Sequence, residues 1–262
     1  MRFKNSLNIL VCFFIILFGF KDLYAHDYWI FPESFYPHEN SILDVRFTCG
    51  HEYFENQETP DIMKFRLFLT NPAGKEIPLA YSSIHHKAAW AKVPISGPGT
   101  YIITAFNLVP SYWCKTPNGW KNVKKTEVKN PERCGRYFKS TKTFLTVKKS
   151  TSIYKTLLGL PIEMVPLRDP LSLKEGEVLP IKVLYKGKAI GNVPVFWIYK
   201  GSKKGKVNYS EGLKTDSDGI AKIKIDHSGI WLLGARYEFE VQGDPLCDYE
   251  NYRPYILFKV TK

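Results

Sequence analysis

Alternation with a period of two is the feature that most limits how this chain folds. Leu43, Val45, Phe47 and Cys49 alternate with Asp44, Arg46 and Thr48. Leu179, Ile181, Val183 and Tyr185 repeat the pattern, as do Val193, Val195, Trp197 and Tyr199, and then Ala221, Ile223 and Ile225. Side chains of a strand point alternately to its two faces, so such runs read as half-buried strands. Lys64–Leu69, Tyr101–Phe106, Phe144–Val147, Ile230–Val241 and Tyr255–Val260 are further β-rich runs. Turn clusters separate them: Asn71-Pro72-Ala73-Gly74, Gly97-Pro98-Gly99, Lys186-Gly187-Lys188 and Asp216-Ser217-Asp218-Gly219. No helix-period tract interrupts the series. The expected class is all-β, with enough strands for two immunoglobulin-like or transthyretin-like β-sandwich domains.

The start of the chain has a different character. Arg2 and Lys4 precede an apolar run from Ile9 to Phe20, and Leu23-Tyr24-Ala25 ends on a small residue. This is the anatomy of a secretory signal peptide, and the run is short for a membrane span. The expected layout is a signal peptide at 1–25, an N-terminal sandwich carrying a metal site at 26–148, a linker at 149–170 and a C-terminal sandwich at 171–262. The linker is polar at Lys148–Ser152 and then carries Pro161, Pro166 and Pro170; Leu157–Leu160 reads as a short helical turn. The expected location is periplasmic or secreted.

Cleavage after Ala25 makes His26 the first residue. A terminal histidine offers an α-amine and an imidazole to one ion, and the amine titrates near neutrality, at about pH 7.7–8. Such donors suit nickel, cobalt, copper or zinc rather than calcium or magnesium. His51 ends a strand run, and His85-His86 form an adjacent pair; His26, His51, His85 and His86 are the candidate metal ligands. His38 and His227 read as turn or surface residues. Trp29, Phe31, Phe35 and Tyr36 crowd the same start and would pack it onto the sandwich.

Cys12 belongs to the expected leader, which leaves Cys49, Cys114, Cys134 and Cys247. An even number in an oxidising compartment reads as two disulfides with three connectivities open. Cys114–Cys134 with Cys49–Cys247 is the pairing adopted here. The chain is basic, with a formal net charge of +12, which admits peripheral contact with an anionic membrane or cell wall. The lysines are scattered and no nucleic-acid motif accompanies them, so no nucleic-acid partner is expected.

Other motifs fail on inspection. Gly201–Lys206 is one residue short of a phosphate loop, and Val207 stands where a hydroxyl is needed. The Asp216–Gly219 aspartates fit a tight turn better than a calcium loop. Asn208-Tyr209-Ser210 is a glycosylation sequon.

Ala25-His26-Asp27-Tyr28-Trp29-Ile30-Phe31-Pro32 resembles the opening of a family of exported proteins described as nickel uptake or cobalt transport periplasmic components. Gly50-His51-Glu52, Gly119-Trp120-Lys121, Pro161-Ile162-Glu163-Met164-Val165-Pro166 with Asp169-Pro170, and Gly229-Ile230-Trp231-Leu232 also match. The resemblance implies export, β-sandwich architecture and transition-metal handling, with His26 and His51 at matching positions. The expected function is a non-enzymatic accessory protein that binds nickel or cobalt and passes it to a membrane metal transporter. Two alternatives stand beside it. One is a copper-dependent oxidative polysaccharide-active enzyme, using Tyr112, Trp113 and Trp120 to stack on sugars. The other is a surface or adhesion module without metal.

Overall fold

The structure is a computed structural model that describes residues 26–202 and 212–262. The expected leader, the phosphate-loop look-alike from Lys203 onward and the Asn208 sequon lie outside the described residues. Among the described residues, no helix is long and apolar enough to cross a membrane.

The chain is all-β and forms two sandwiches. Ten strands build the first half: β1 (Asp27–Pro32), β2 (Ser41–Gly50), β3 (Phe65–Thr70), β4 (Glu76–Pro78), β5 (Tyr81–His85), β6 (Ala88–Ile95), β7 (Gly99–Asn107), β8 (Ser111–Thr116), β9 (Gly119–Lys121) and β10 (Arg133–Val147). Among the described residues nine follow: β11 (Ile162–Pro166), β12 (Val178–Tyr185), β13 (Lys188–Ala189), β14 (Pro194–Tyr199), β15 (Leu213–Lys214), β16 (Ile220–Lys224), β17 (Gly229–Ala235), β18 (Tyr237–Glu240) and β19 (Tyr249–Val260).

A sheet of order β1-β2-β6-β5 covers one face of β10-β7-β3-β4. Their shared core holds Ile30, Val45, Phe47, Val93, Leu69, Ile103 and Leu145, the inward members of each alternation. A second sheet, β11-β12-β13 with β16 beside β12, covers β15-β14-β17-β19. Met164, Ile181, Val183, Ile223, Val195, Trp231 and Phe258 fill the core between them.

The two sandwiches are not strung on a linker. β10 and β19 pair in parallel from Gly135↔Tyr249 to Thr143↔Leu257, so a single long sheet runs through both. The stretch 149–170, read from sequence as a linker, carries β11, whose five residues are all buried and pair with β12. Its prolines are compatible with an edge strand, where a missing N–H is tolerated. Leu157–Leu160 forms no helical turn. Turns of 3-10 helix flank it, at Ser152–Lys155 and Pro170–Ser172. The Glu163 carboxylate instead gathers the backbone N–H groups of Leu158 and Leu160 at 3.0 and 3.3 Å.

The Asp216–Gly219 turn reading resolves locally. Asp216 Oδ1 accepts from the N–H groups of Asp218 and Ile220, and Gly219 takes a φ of +75°. The carboxylate therefore serves its own turn.

The cysteines behave differently from one another. Cys114 and Cys134 lie directly opposite on β8 and β10 and form a disulfide. The expected Cys49–Cys247 bridge does not exist: both are buried free thiols. Cys49 lies beside Lys139, whereas Cys247 lies beside Arg136. Those two residues are three apart on β10, so they face opposite sides of the sheet. Parity of count says nothing about such separation. Thiol titration of chain beginning at His26 should therefore find two reactive sulfhydryls. Both should react slowly until denaturant is added, and a count of zero would restore the second disulfide.

Candidate metal centre

The centre grows out of the pairing of β1 with β2. Their register sets Asp27 opposite Gly50 and Tyr28 opposite Cys49, so the expected new terminus, His26, emerges beside the end of β2. The chain then loops through 51–57 and returns, with Glu58 making an antiparallel bridge to Cys49. The two exchange backbone hydrogen bonds of 3.1 and 3.0 Å. Gln57 Oε1 closes the loop by accepting from the backbone N–H of His51 at 2.5 Å and of Glu52 at 2.8 Å. A Cβ at position 50 would fall 2.3 Å from that oxygen, which accounts for Gly50.

This return path gathers three donors. Ligand-type atoms of His26, Cys49 and Glu58 all lie within 4.8 Å of one another. His26 Nδ1 is 3.3 Å from Glu58 Oε2. The ring of His51 stands 4.6 Å from that of His26, centre to centre. Burial lowers the pKa of both imidazoles, and the charge of His26 lowers that of His51 further. Neutral imidazole is the metal-binding form. Burial pushes the Cys49 thiol up to about 12.

A second layer of side chains holds His26 and Asp27 in place. Lys139 Nζ donates to the carbonyl of His26 at 2.7 Å and lies 4.6 Å from the centre of the Tyr28 ring. Burial, helped by Arg253, brings this ammonium down to about 7. Asp27 is fully buried. It accepts hydrogen bonds from the hydroxyls of Tyr53 and Tyr255, and Arg253 stands 3.8 Å away. Tyr53 comes from the loop, Lys139 from β10, and Arg253 and Tyr255 from β19. The start of β1 is thus fastened where the two sandwiches share their sheet.

The structure unites two of the four expected histidines, His26 and His51. His85 and His86 are elsewhere, exposed at the tip of the β5–β6 hairpin. Cys49, read as half of a disulfide, lies in the cluster instead. Glu58 was not legible, because it sits in an irregular segment whose return to β2 has no periodic signal. Tyr112, Trp113 and Trp120 are half-buried on β8 and β9.

Fold and cluster together define a double β-sandwich protein with transition-metal-type donors collected at its first strand. The chain belongs to the family described as Domain of unknown function (DUF4198), whose model matches residues 23–239. A comparison with curated proteins finds no match. Among solved structures, a DUF4785 family protein from Legionella pneumophila aligns at 10% identity, covering 79% of this chain and 50% of that one, with a TM-score of 0.28. This chain therefore spans half the length of that protein. The D0-D1 domain of Intimin aligns at 11% identity over 90% of this chain and 100% of its own, with a TM-score of 0.22. Escherichia coli alpha-2-macroglobulin aligns at 7% identity over 90% and 20% of the two chains, with a TM-score of 0.27.

Proposed function

We propose that the protein is an exported accessory protein that binds a divalent transition metal, nickel or cobalt foremost, and hands it to a membrane transporter. The observation that carries the reading is the meeting of His26, Cys49 and Glu58, with the His51 ring beside them. Imidazole and thiol donors suit borderline-soft ions, and a carboxylate completes a mixed set; copper and zinc share these preferences. A calcium or magnesium site would be built from oxygens alone. The metal is cargo, so no bond need be broken, and the chain acts as a binding protein rather than an enzyme.

The residues have distinct tasks in this reading. His26, Cys49 and Glu58 hold the ion, with His51 as a fourth donor. Signal cleavage after Ala25 adds the α-amine of His26. Lys139 and Asp27 hold the first two residues at a fixed place, and Gln57 shapes the loop that brings Glu58 back. The basic surface is compatible with working close to an anionic membrane, where a transporter sits.

Calorimetric titration with nickel(II) tests the proposal. Protein beginning at His26 should bind one tight equivalent. Protein with one extra residue before His26 should bind it at least about 100-fold more weakly, because the amine is then an amide nitrogen and a direct donor is lost, whereas even supporting groups are worth about 10–100-fold. Equal affinity of the two forms would remove the terminus from the site.

A further inference from the structure

The histidine pair that the centre leaves unused has its own geometry. His85 ends β5 and pairs with Ala88 at the start of β6, so His86 and Lys87 alone make the hairpin turn. Both take left-handed backbone, with φ of 50° and 57°. That is the two-residue turn in which Asn-Gly is the favoured pair. Histidine stands there instead. Asn56 Nδ2 donates to the His86 carbonyl at 3.1 Å, and Thr48 Oγ1 to that of Lys87 at 3.0 Å. These contacts hold the turn against the loop of the centre described above.

The rings themselves are also placed. His85 stacks on Trp90 at 4.8 Å with an interplanar angle of 7°. The His86 ring stands 5.0 Å from that of His85 at 84°. Both residues are exposed, and among the described residues neither imidazole is hydrogen-bonded or ion-paired. Two imidazoles sharing an ion at about 2.1 Å per nitrogen bring their ring centres to about 4.5–5.3 Å. The observed separation falls inside that interval.

We infer that His85 and His86 form a second, solvent-facing site for a borderline divalent transition metal, with water in its remaining positions. It lies at the same end of the sheet as His26. Three strand spacings separate β5 from β1, or about 14 Å. With two protein donors it binds more weakly and exchanges faster than the His26 centre. The inference shares its metal class with the proposed function but not its residues.

The test uses substitutions that keep the local structure. His85→Phe retains stacking on Trp90, and His86→Asn places in the turn a residue that tolerates left-handed backbone. Nickel(II) titration of the chain beginning at His26 should show a tight equivalent and a second one at least tenfold weaker. The His85→Phe/His86→Asn variant should melt as the parent does, keep the tight equivalent and lose the weaker one. In the parent, cobalt(II) added beyond the first equivalent should broaden the His85 and His86 ring resonances. A variant that keeps both equivalents, or a parent that shows only the tight one, would overturn the site. A parent whose single equivalent disappears in this variant and survives His26→Ala would uphold the site and sink the reading of the His26 centre.

Discussion

Protein carrying His26→Ala will bind nickel(II) about 100-fold or more weakly than the parent, while its unfolding transition stays close to the parent's. The magnitude follows from losing a direct ligand, since even residues that merely support a ligand are worth about 10–100-fold in affinity. His26 is half-buried, and its contacts are with the other donors and with Lys139 through its carbonyl. An alanine keeps that carbonyl and removes only the imidazole, so the fold has little to lose. Cys49→Ser is the sharper companion. It replaces a soft donor with a hard one of similar shape inside the same pair of strands. A loss of at least tenfold is expected for nickel, with the preference moving toward harder ions. Parent-like binding by Cys49→Ser would make Cys49 a packing residue and leave the donor set without its sulfur.

Glu163→Ala will destabilise the fold by about 3–5 kcal/mol, the effect of breaking a buried ion pair by removing one partner. Glu163 Oε2 meets Lys142 Nζ at 2.6 Å, and each side chain is only 5% exposed. The same carboxylate accepts from the N–H groups of Leu158 and Leu160. Alanine strands an ammonium inside the protein and removes the acceptor for two backbone donors. Glu163→Gln keeps an acceptor oxygen and should lose roughly half as much, as hydrogen bonding to a charged group contributes about 1.5–3 kcal/mol. Urea unfolding gives both values. A loss below about 1 kcal/mol for the alanine variant would show that the connection between the sandwiches does not depend on this residue.

Glu163 also shows how far the sequence could be read. It belongs to the Pro161–Pro166 segment that carries part of the family resemblance, yet its neighbours read as a linker. Five buried residues in a row give no alternation, and two flanking prolines suggest a break. A longer strand was missed for a related reason. β10 runs for 15 residues, but only its last four, Phe144–Val147, read as a strand. Lys139, Ser140, Thr141, Lys142 and Thr143 are polar and nevertheless buried. A central strand covered on both faces need not alternate, and its polar groups are matched by partners distant in sequence: Lys142 by Glu163, Thr143 by the carbonyl of Leu257.

The strands of the half-covered sheets were legible because one face meets water and the other does not. That contrast writes the period of two into β2, β12, β14 and β16. Cys114–Cys134 emerged correctly from a choice among pairings. Its companion failed because a count of cysteines contains no distances.

The amino acids alone determined the all-β class, the existence of two sandwiches and the turns built on Asp, Asn and Gly. Each of these follows from local stereochemistry. Tertiary structure decided the rest. It joined the sandwiches through the parallel pairing of β10 with β19, brought Glu58 and Cys49 to His26, kept Cys247 on the far side of the sheet and sent His85 and His86 to a hairpin tip. Those outcomes depend on contacts between segments up to more than 100 residues apart, and local periodicity records which face of a strand is buried but not which strand will cover it.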